Sequence, residues 1–199
     1  MHKLSALASS LSLFAVLAGG SARADVWDID SSHSAAHFSV RHMMVSNVRG
    51  EFGKLTGSVN LDDKDVSKST VEATVDATTI NTREPKRDAH LKSPDFFDTA
   101  KFPTLTFKSK KVEPGAVGHL KVTGDLTIHG VTKSVVLDVE GPTPAIKDPF
   151  GGTRRGATAT TKLSRKDFGL TWNKAMEAGG VVVGDEVNVT LEIELSKKK

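Results

Sequence analysis

No cysteine occurs among the 199 residues. Disulfides and thiolate chemistry therefore contribute nothing to fold or function. The usual catalytic signatures are missing too. There is no Gly-x-Ser-x-Gly nucleophile elbow, and no Gly-x-Gly-x-x-Gly follows a strand. Gly53-Lys54 resembles the end of a phosphate loop, but Leu55 follows it and Val48 stands where the first glycine belongs. Acidic pairs such as Asp62-Asp63 and Glu192/Glu194 fall in turns or on wet strand faces, where solvation explains them better than acid–base work. The chain also lacks a charge surplus. Its 27 Lys+Arg face 24 Asp+Glu, and no basic cluster of the kind that nucleic acid demands is present. The one basic run, Lys197-Lys198-Lys199, reads as a solvated tail.

What is present begins with a leader. Lys3 supplies a positive start, Leu11 to Ala18 an apolar stretch, and Ala22-Arg23-Ala24 a small-x-small site. That is the layout of a secretory signal peptide, with cleavage expected after Ala24. Its loss removes Lys3 and Arg23 and no acid, leaving a nearly neutral mature chain of residues 25–199. This is long enough for one domain with a sizeable core. No later apolar run approaches membrane length, so a soluble protein beyond the inner membrane is expected.

Period-2 alternation dominates the rest. Leu120, Val122, Gly124, Leu126 and Ile128 share one face, opposed by Lys121, Thr123, Asp125 and Thr127. Val187, Val189, Leu191, Ile193 and Leu195 repeat the pattern, as do residues 55–61, 71–77 and 36–42. Shorter candidates lie near 104–111, 133–139 and 156–163. Turn chemistry separates them at Asp62–Asp65, Glu113-Pro114-Gly115 and His129-Gly130. About eight antiparallel strands with one wet face predict a sandwich or a closed barrel.

Residues 83–99 break the alternation. Pro85 after Glu84, and Pro94 after Ser93, predict two short helical turns. Neither is stable alone, so Leu91, Phe96 and Phe97 must lean on the β body, either as a lid over one barrel end or as ordinary core. The histidines His33, His37, His42, His90, His119 and His129 show no ligand spacing, although His33 and His37 share a strand face. His42-Met43-Met44-Val45 ends a strand as an apolar run, and methionine suits adaptable apolar surfaces.

The blocks HFSVRHMMVSNVRGEFGKLTGSVNLD (37–62), INTREPKRDAHLKSPDFFDTAKFPTLTFKS (80–109), GDLTIHGVTKSVVLDVE (124–140) and KDPFGGTRRGATATTKLSRKDFGLTWN (147–173) resemble, in order, the YceI family. The resemblance implies an all-β, antiparallel eight-stranded lipocalin-like barrel with a short helical lid. It implies an exported, periplasmic, non-catalytic protein that carries or stores a polyprenyl phosphate or isoprenoid quinone in its lumen. No other cofactor is implied, and several members are linked to stress responses. Parity and motif together then nominate the lumen and lid residues. From the strands these are Phe38, Val40, His42, Met43, Met44, Phe52, Phe107, Leu126 and Ile128. From the lid and the last block they are His90, Leu91, Phe96, Phe97, Phe168 and Trp172. Arg41, Arg49 and Arg87 are the head-group candidates, and Arg87, Asp88 and His90 are expected either near an opening or holding the lid in place. Gly156-Ala157 departs from the family, which often has a large apolar residue after that glycine, and either a locally wider lumen or a groove filled by a neighbouring side chain would follow. Transient membrane contact and a homodimer are compatible partners. The rival readings are a histidine-based metal or haem-type stress protein, an enzyme with a proton-transfer group in the lumen, and a solidly packed interaction module.

Overall fold

A computed structural model describes residues 25–177 and 179–198; the leader expected at 1–24 lies outside these residues. The strands are β1 Asp25–Ile29, β2 Ala35–His42, β3 Ser46–Phe52, β4 Leu55–Leu61, β5 Thr70–Asp76, β6 Ile80–Asn81, β7 Thr104–Pro114, β8 His119–Ile128, β9 Val131–Glu140, β10 Ile146–Lys147, β11 Thr153–Ser164 and β12 Val183–Lys197. Among the described residues one α-helix, α1, spans Pro85–Lys92.

Several strands are halves of a longer one. β1 and β2 run end to end along β12. β3 pairs with β2 and β4 with β1, and β6 and β5 continue the pattern beside them. With β7, β8, β9, β11 and β12 these composites form a closed antiparallel ring of eight staves, sealed where β11 pairs with both β9 and β12. Each of the eight strands expected from alternation falls on a different stave. β1 and β3, which the alternation did not mark, complete two of them.

Local chemistry sets the turns and the inner face. His129 and Gly130 carry φ of 52° and 74° in the two-residue turn from β8 to β9, the left-handed pair such hairpins require. Two glycines make room for aromatic rings inside the barrel. A Cβ on Gly50 would lie 2.5 Å from the Phe38 ring, and one on Gly124 would lie 2.5 Å from Phe107.

The two barrel ends differ. At one end, the floor, Trp27 is buried, and the Arg155 guanidinium lies 5.1 Å from its ring centroid. Arg155 also donates to both Asp63 carboxylate oxygens at 2.9 and 2.7 Å. Leu55, Leu61 and Leu195 pack around Trp27. At the other end sit α1, the turn that follows it, and the 3-10 turn Arg165–Phe168.

The lid begins as expected and ends differently. Glu84 caps α1 by accepting from the Lys86 and Arg87 amides, with Pro85 following at the first helical position. Ser93 does not start a second helix. Its amide and hydroxyl both donate to the His90 carbonyl and so terminate α1. Residues 94–97 form a turn, which brings Phe96 and Phe97 back over the barrel.

Candidate functional site: the apolar lumen

Inside the ring, between floor and lid, lies a cavity of about 190 Å³. A water molecule needs only about 10–15 Å³ of such space, so this is a built chamber and not a packing defect. Its wall is made by the inward residues of the staves: Phe38 and Val40 from β2, Phe52, Leu55, Val75, Leu105 and Phe107, Leu126 and Ile128 from β8, Leu137 and Leu163. β12 contributes Val183, Val187, Val189 and Leu191. The lid adds Leu91, Phe96 and Phe97, and the 3-10 turn adds Phe168 and Leu170.

Aromatic contacts bind lid to barrel. Phe97 meets Phe52 edge-on with ring centroids 5.5 Å apart, and Phe52 in turn meets Phe38 at 5.7 Å. Phe96, His90 and Trp172 form a second cluster, with His90 edge-on to both partners at 5.0 and 4.9 Å. A polar latch fixes the start of the lid. Asp88 accepts from the Thr82 amide at 2.8 Å and from its hydroxyl at 2.5 Å. Arg87 Nε donates to the Thr82 hydroxyl, and Arg87 Nη2 to the Thr82 carbonyl, both at 2.8 Å. Thr82 itself is buried.

Among the described residues, Arg165 is the one charged side chain that is fully buried in the wall. Its five N–H groups are all committed. Nε donates to Gly184 O at 2.9 Å, and Nη1 to Leu170 O and Trp172 O at 2.5 and 2.9 Å. Nη2 reaches Val183 O and Asp185 at 3.4 and 3.2 Å. Burial lowers its pKa, and the Asp185 carboxylate opposes that shift. With no donor to spare, Arg165 ties the 3-10 turn and the following loop to β12. His37 also borders the cavity, but its imidazole is half exposed and faces Glu51 at 3.6 Å.

Ten of the nominated residues line this chamber: Phe38, Val40, Phe52, Leu91, Phe96, Phe97, Phe107, Leu126, Ile128 and Phe168. Five do not. His42 pairs with Val183 at the last rung of β2, past an irregularity in the β12 register. Met43 and Met44 occupy left-handed positions in the β2–β3 loop and are exposed. His90 is held on the outer side of the lid by Asp95 at 2.8 Å, and Trp172 packs behind Phe96. Among the head-group candidates, Arg87 is spent on Thr82, Arg41 donates to Met44 O at 2.9 Å, and Arg49 is exposed on β3. Ala157 does not border the cavity, so its small side chain does not widen it. The β12 valines and Arg165 were missed. Val187 and Val189 carried a plain alternation signal, whereas Val183 lies beyond an irregularity in the β12 register. Arg165 had none, because its role depends on carbonyls that only the fold assembles.

Among the described residues the histidines do not converge on a shared set of ligand atoms. His33 lies with Asp30 and Glu194 in a group whose potential ligand atoms fall within 4.8 Å of one another. Arg154 sits in that group, 2.5 Å from Asp30 and 3.2 Å from Glu194. A guanidinium already neutralises the carboxylates a cation would need, so this arrangement is an ion-pair network. His37 stands apart from it, against Glu51.

An eight-stranded antiparallel barrel with an apolar chamber is the class that this geometry defines. The YceI-like domain model matches residues 27–195, and the chain belongs to that family. A UPF0312 protein of Vibrio parahaemolyticus is 38% identical over 169 residues, covering 84% of this chain and 89% of the relative. One from Staphylococcus aureus is 38% identical over 168 residues, covering 84% and 95%. Among solved structures, the Campylobacter jejuni YCEI protein superposes with a TM-score of 0.68 at 31% identity, covering 80% of this chain and 90% of that one. A polyisoprenoid binding domain from Saccharophagus degradans gives 0.63 at 16% identity, covering 86% and 98%, and shares the fold.

Proposed function

We propose that the protein binds the chain of an isoprenoid lipid, a polyprenyl phosphate or an isoprenoid quinone, in the barrel lumen, and acts as a periplasmic carrier or store and not as a catalyst. The observation that carries this reading is the chamber wall itself. It is apolar from Leu55 near the floor to Phe96 and Phe97 at the lid, and its one buried cation has no free donor. Such a wall suits a hydrocarbon, whose affinity grows by about 0.8 kcal/mol per buried methylene before the costs of binding. It offers nothing to a phosphate or quinone head, so the head stays outside the lumen. General acid–base catalysis needs a titratable group beside the reacting atoms, and the described wall residues supply none facing inward. The polyisoprenoid-binding description of a structural neighbour agrees with this reading. The leader pattern at residues 1–24 agrees with export.

Native mass spectrometry of the mature protein, purified without detergent from its own host, tests the proposal. A discrete adduct that extracts as a polyprenol or quinone is the expected result. Val189→Phe, which pushes a ring into the chamber, should remove that adduct and leave the protein folded. An unliganded mass that persists when such lipids are supplied would sink the carrier reading.

A further inference from the structure

The β2–β3 loop sits at the lid end of the barrel, immediately beyond the chamber wall. Val40 and Val183 line the chamber, His42 pairs with Val183, and the Met43 amide donates to Val182 O at 2.8 Å. From that junction four apolar side chains project into solvent: Met43, Met44 at 53% exposure, Val45 at 77%, and Val181 from the facing loop.

The loop's chemistry is not what its backbone asks for. Met43 and Met44 have φ of 50° and 60°, a region that costs a residue with a Cβ roughly 1–2 kcal/mol and that glycine or asparagine fills more cheaply. Neither methionine is buried in return. The loop is also held in place, because Arg41 Nη2 donates to Met44 O at 2.9 Å and the Val45 amide donates to His42 O at 3.1 Å. Large apolar side chains are thus presented outward on a fastened turn, with no return to the fold. Around them the stretch 41–50 carries Arg41 and Arg49 and no acid. The facing loop adds Lys174 and Glu177.

We propose that this tip, Met43, Met44 and Val45 with Val181, is the surface by which the protein docks on a bilayer containing anionic lipid, placing the lid end of the lumen against the membrane. Three features select a bilayer. The tip is a small projection and not a broad face, its flanking cations match anionic head groups, and it adjoins the chamber. The inference rests on the isoprenoid reading of the chamber, since cargo of that kind resides in membranes and exchanges only at a membrane surface. The opposite end also exposes Val117, Ile146 and Phe150, but behind those loops stands the Trp27–Arg155 floor and not the lumen.

Vesicle flotation with the mature protein tests this. Phosphatidylcholine vesicles containing phosphatidylglycerol should carry the wild type upward, and added salt should weaken the effect. The double variant Met44→Asn, Val45→Asp places residues suited to a turn at the tip, so folding is preserved. It should lose flotation by about tenfold or more, yet take up polyprenol supplied in detergent as well as the wild type does. Phe150→Asp at the other end should float normally. Equal flotation of the double variant and wild type would overturn the proposal. So would loss of flotation in Phe150→Asp alone, or a tip-dependent shift to dimer in size-exclusion chromatography without vesicle binding. Wild type that floats but never holds polyprenol would instead overturn the cargo reading and leave the docking surface standing.

Discussion

The two ends of the barrel close by different physics. The floor is sealed by one large ring and by charges that find each other. Trp27 is buried beneath Arg155, which is clamped by Asp63. Nearby, Arg154 joins Asp30, Asp148 and Glu194. The lid end is sealed by aromatic side chains that touch the barrel on one side and border the chamber on the other. Its fastenings are small and specific: Thr82 between Asp88 and Arg87, and Arg165 on four backbone carbonyls. A permanent stopper needs dense packing, whereas a closure over a chamber must stay ordered when part of its surface has no protein to pack against.

Truncating one ring at each end gives the largest contrast. Trp27→Ala removes a fully surrounded side chain and should cost about 3–5 kcal/mol in denaturant unfolding. Phe97→Ala removes a ring whose inner face already borders the chamber, and should cost about half as much. Under the carrier proposal, the lid variant should also release a loaded polyprenol faster. Equal losses of stability in the two variants would mean that the lid is ordinary core.

A second test concerns Arg165. Replacing it with leucine strands the carbonyls of Leu170, Trp172 and Gly184 in an apolar setting, at about 1–3 kcal/mol for each group left unsatisfied and unable to reach water. A loss of about 3 kcal/mol is expected, with local loosening of residues 165–185 seen as faster amide exchange. A change below about 1 kcal/mol would show that the loop finds other donors. By comparison, Arg155→Leu at the floor removes a pair with the half-exposed Asp63. It should cost only about 1–2 kcal/mol, mostly through lost stacking on Trp27.

How much of this the sequence revealed follows from the range of the interactions. Strand faces are local, so parity alone assigns Leu126 and Ile128, or Phe38 and Val40, to the inner face. The closed ring was legible because eight alternating stretches need mutual cover. Glu84-Pro85 announced α1 because capping is a matter of adjacent residues. Ser93 misled, since a serine before proline suits a helix start as well as a stop, and only the His90 carbonyl decides between them. Parity and motif together place Met43 and Met44 in the lumen, because they extend an apolar run at the end of a strand. Their left-handed backbone, set by where β2 and β3 must turn, sends them outward instead. Arg165 was invisible for the opposite reason: its partners include Val183, Gly184 and Asp185, distant in the chain.

The smallest expected effect is in the response to acid. Asp30 at the floor is held far below the ordinary carboxylate range. The Ser32 hydroxyl, donating at 2.5 Å, is the main cause, with His33, the Ser32 amide and Arg154 adding to it against the opposing effect of burial. Asp148 is lowered chiefly by Arg154. A carboxylate whose folded pKa lies below its unfolded value, about 3.9, stabilises the fold above that pH and loses the contribution as pH falls below it. The stability contributed by these two carboxylates should therefore be constant above about pH 4 and decline below it. Asp30→Asn should lower neutral-pH stability by about 1 kcal/mol, because Arg154 keeps Asp148 and Glu194, and should make the acid decline shallower. An unchanged acid slope in that variant would move the acid-sensitive groups to the lid end, where Asp185, lowered first by the Lys166 side chain, is the alternative. Asp185→Asn would then be the substitution that flattens the curve, and the contrast between a charge-sealed floor and an aromatic lid would have to be redrawn around the Arg165 latch.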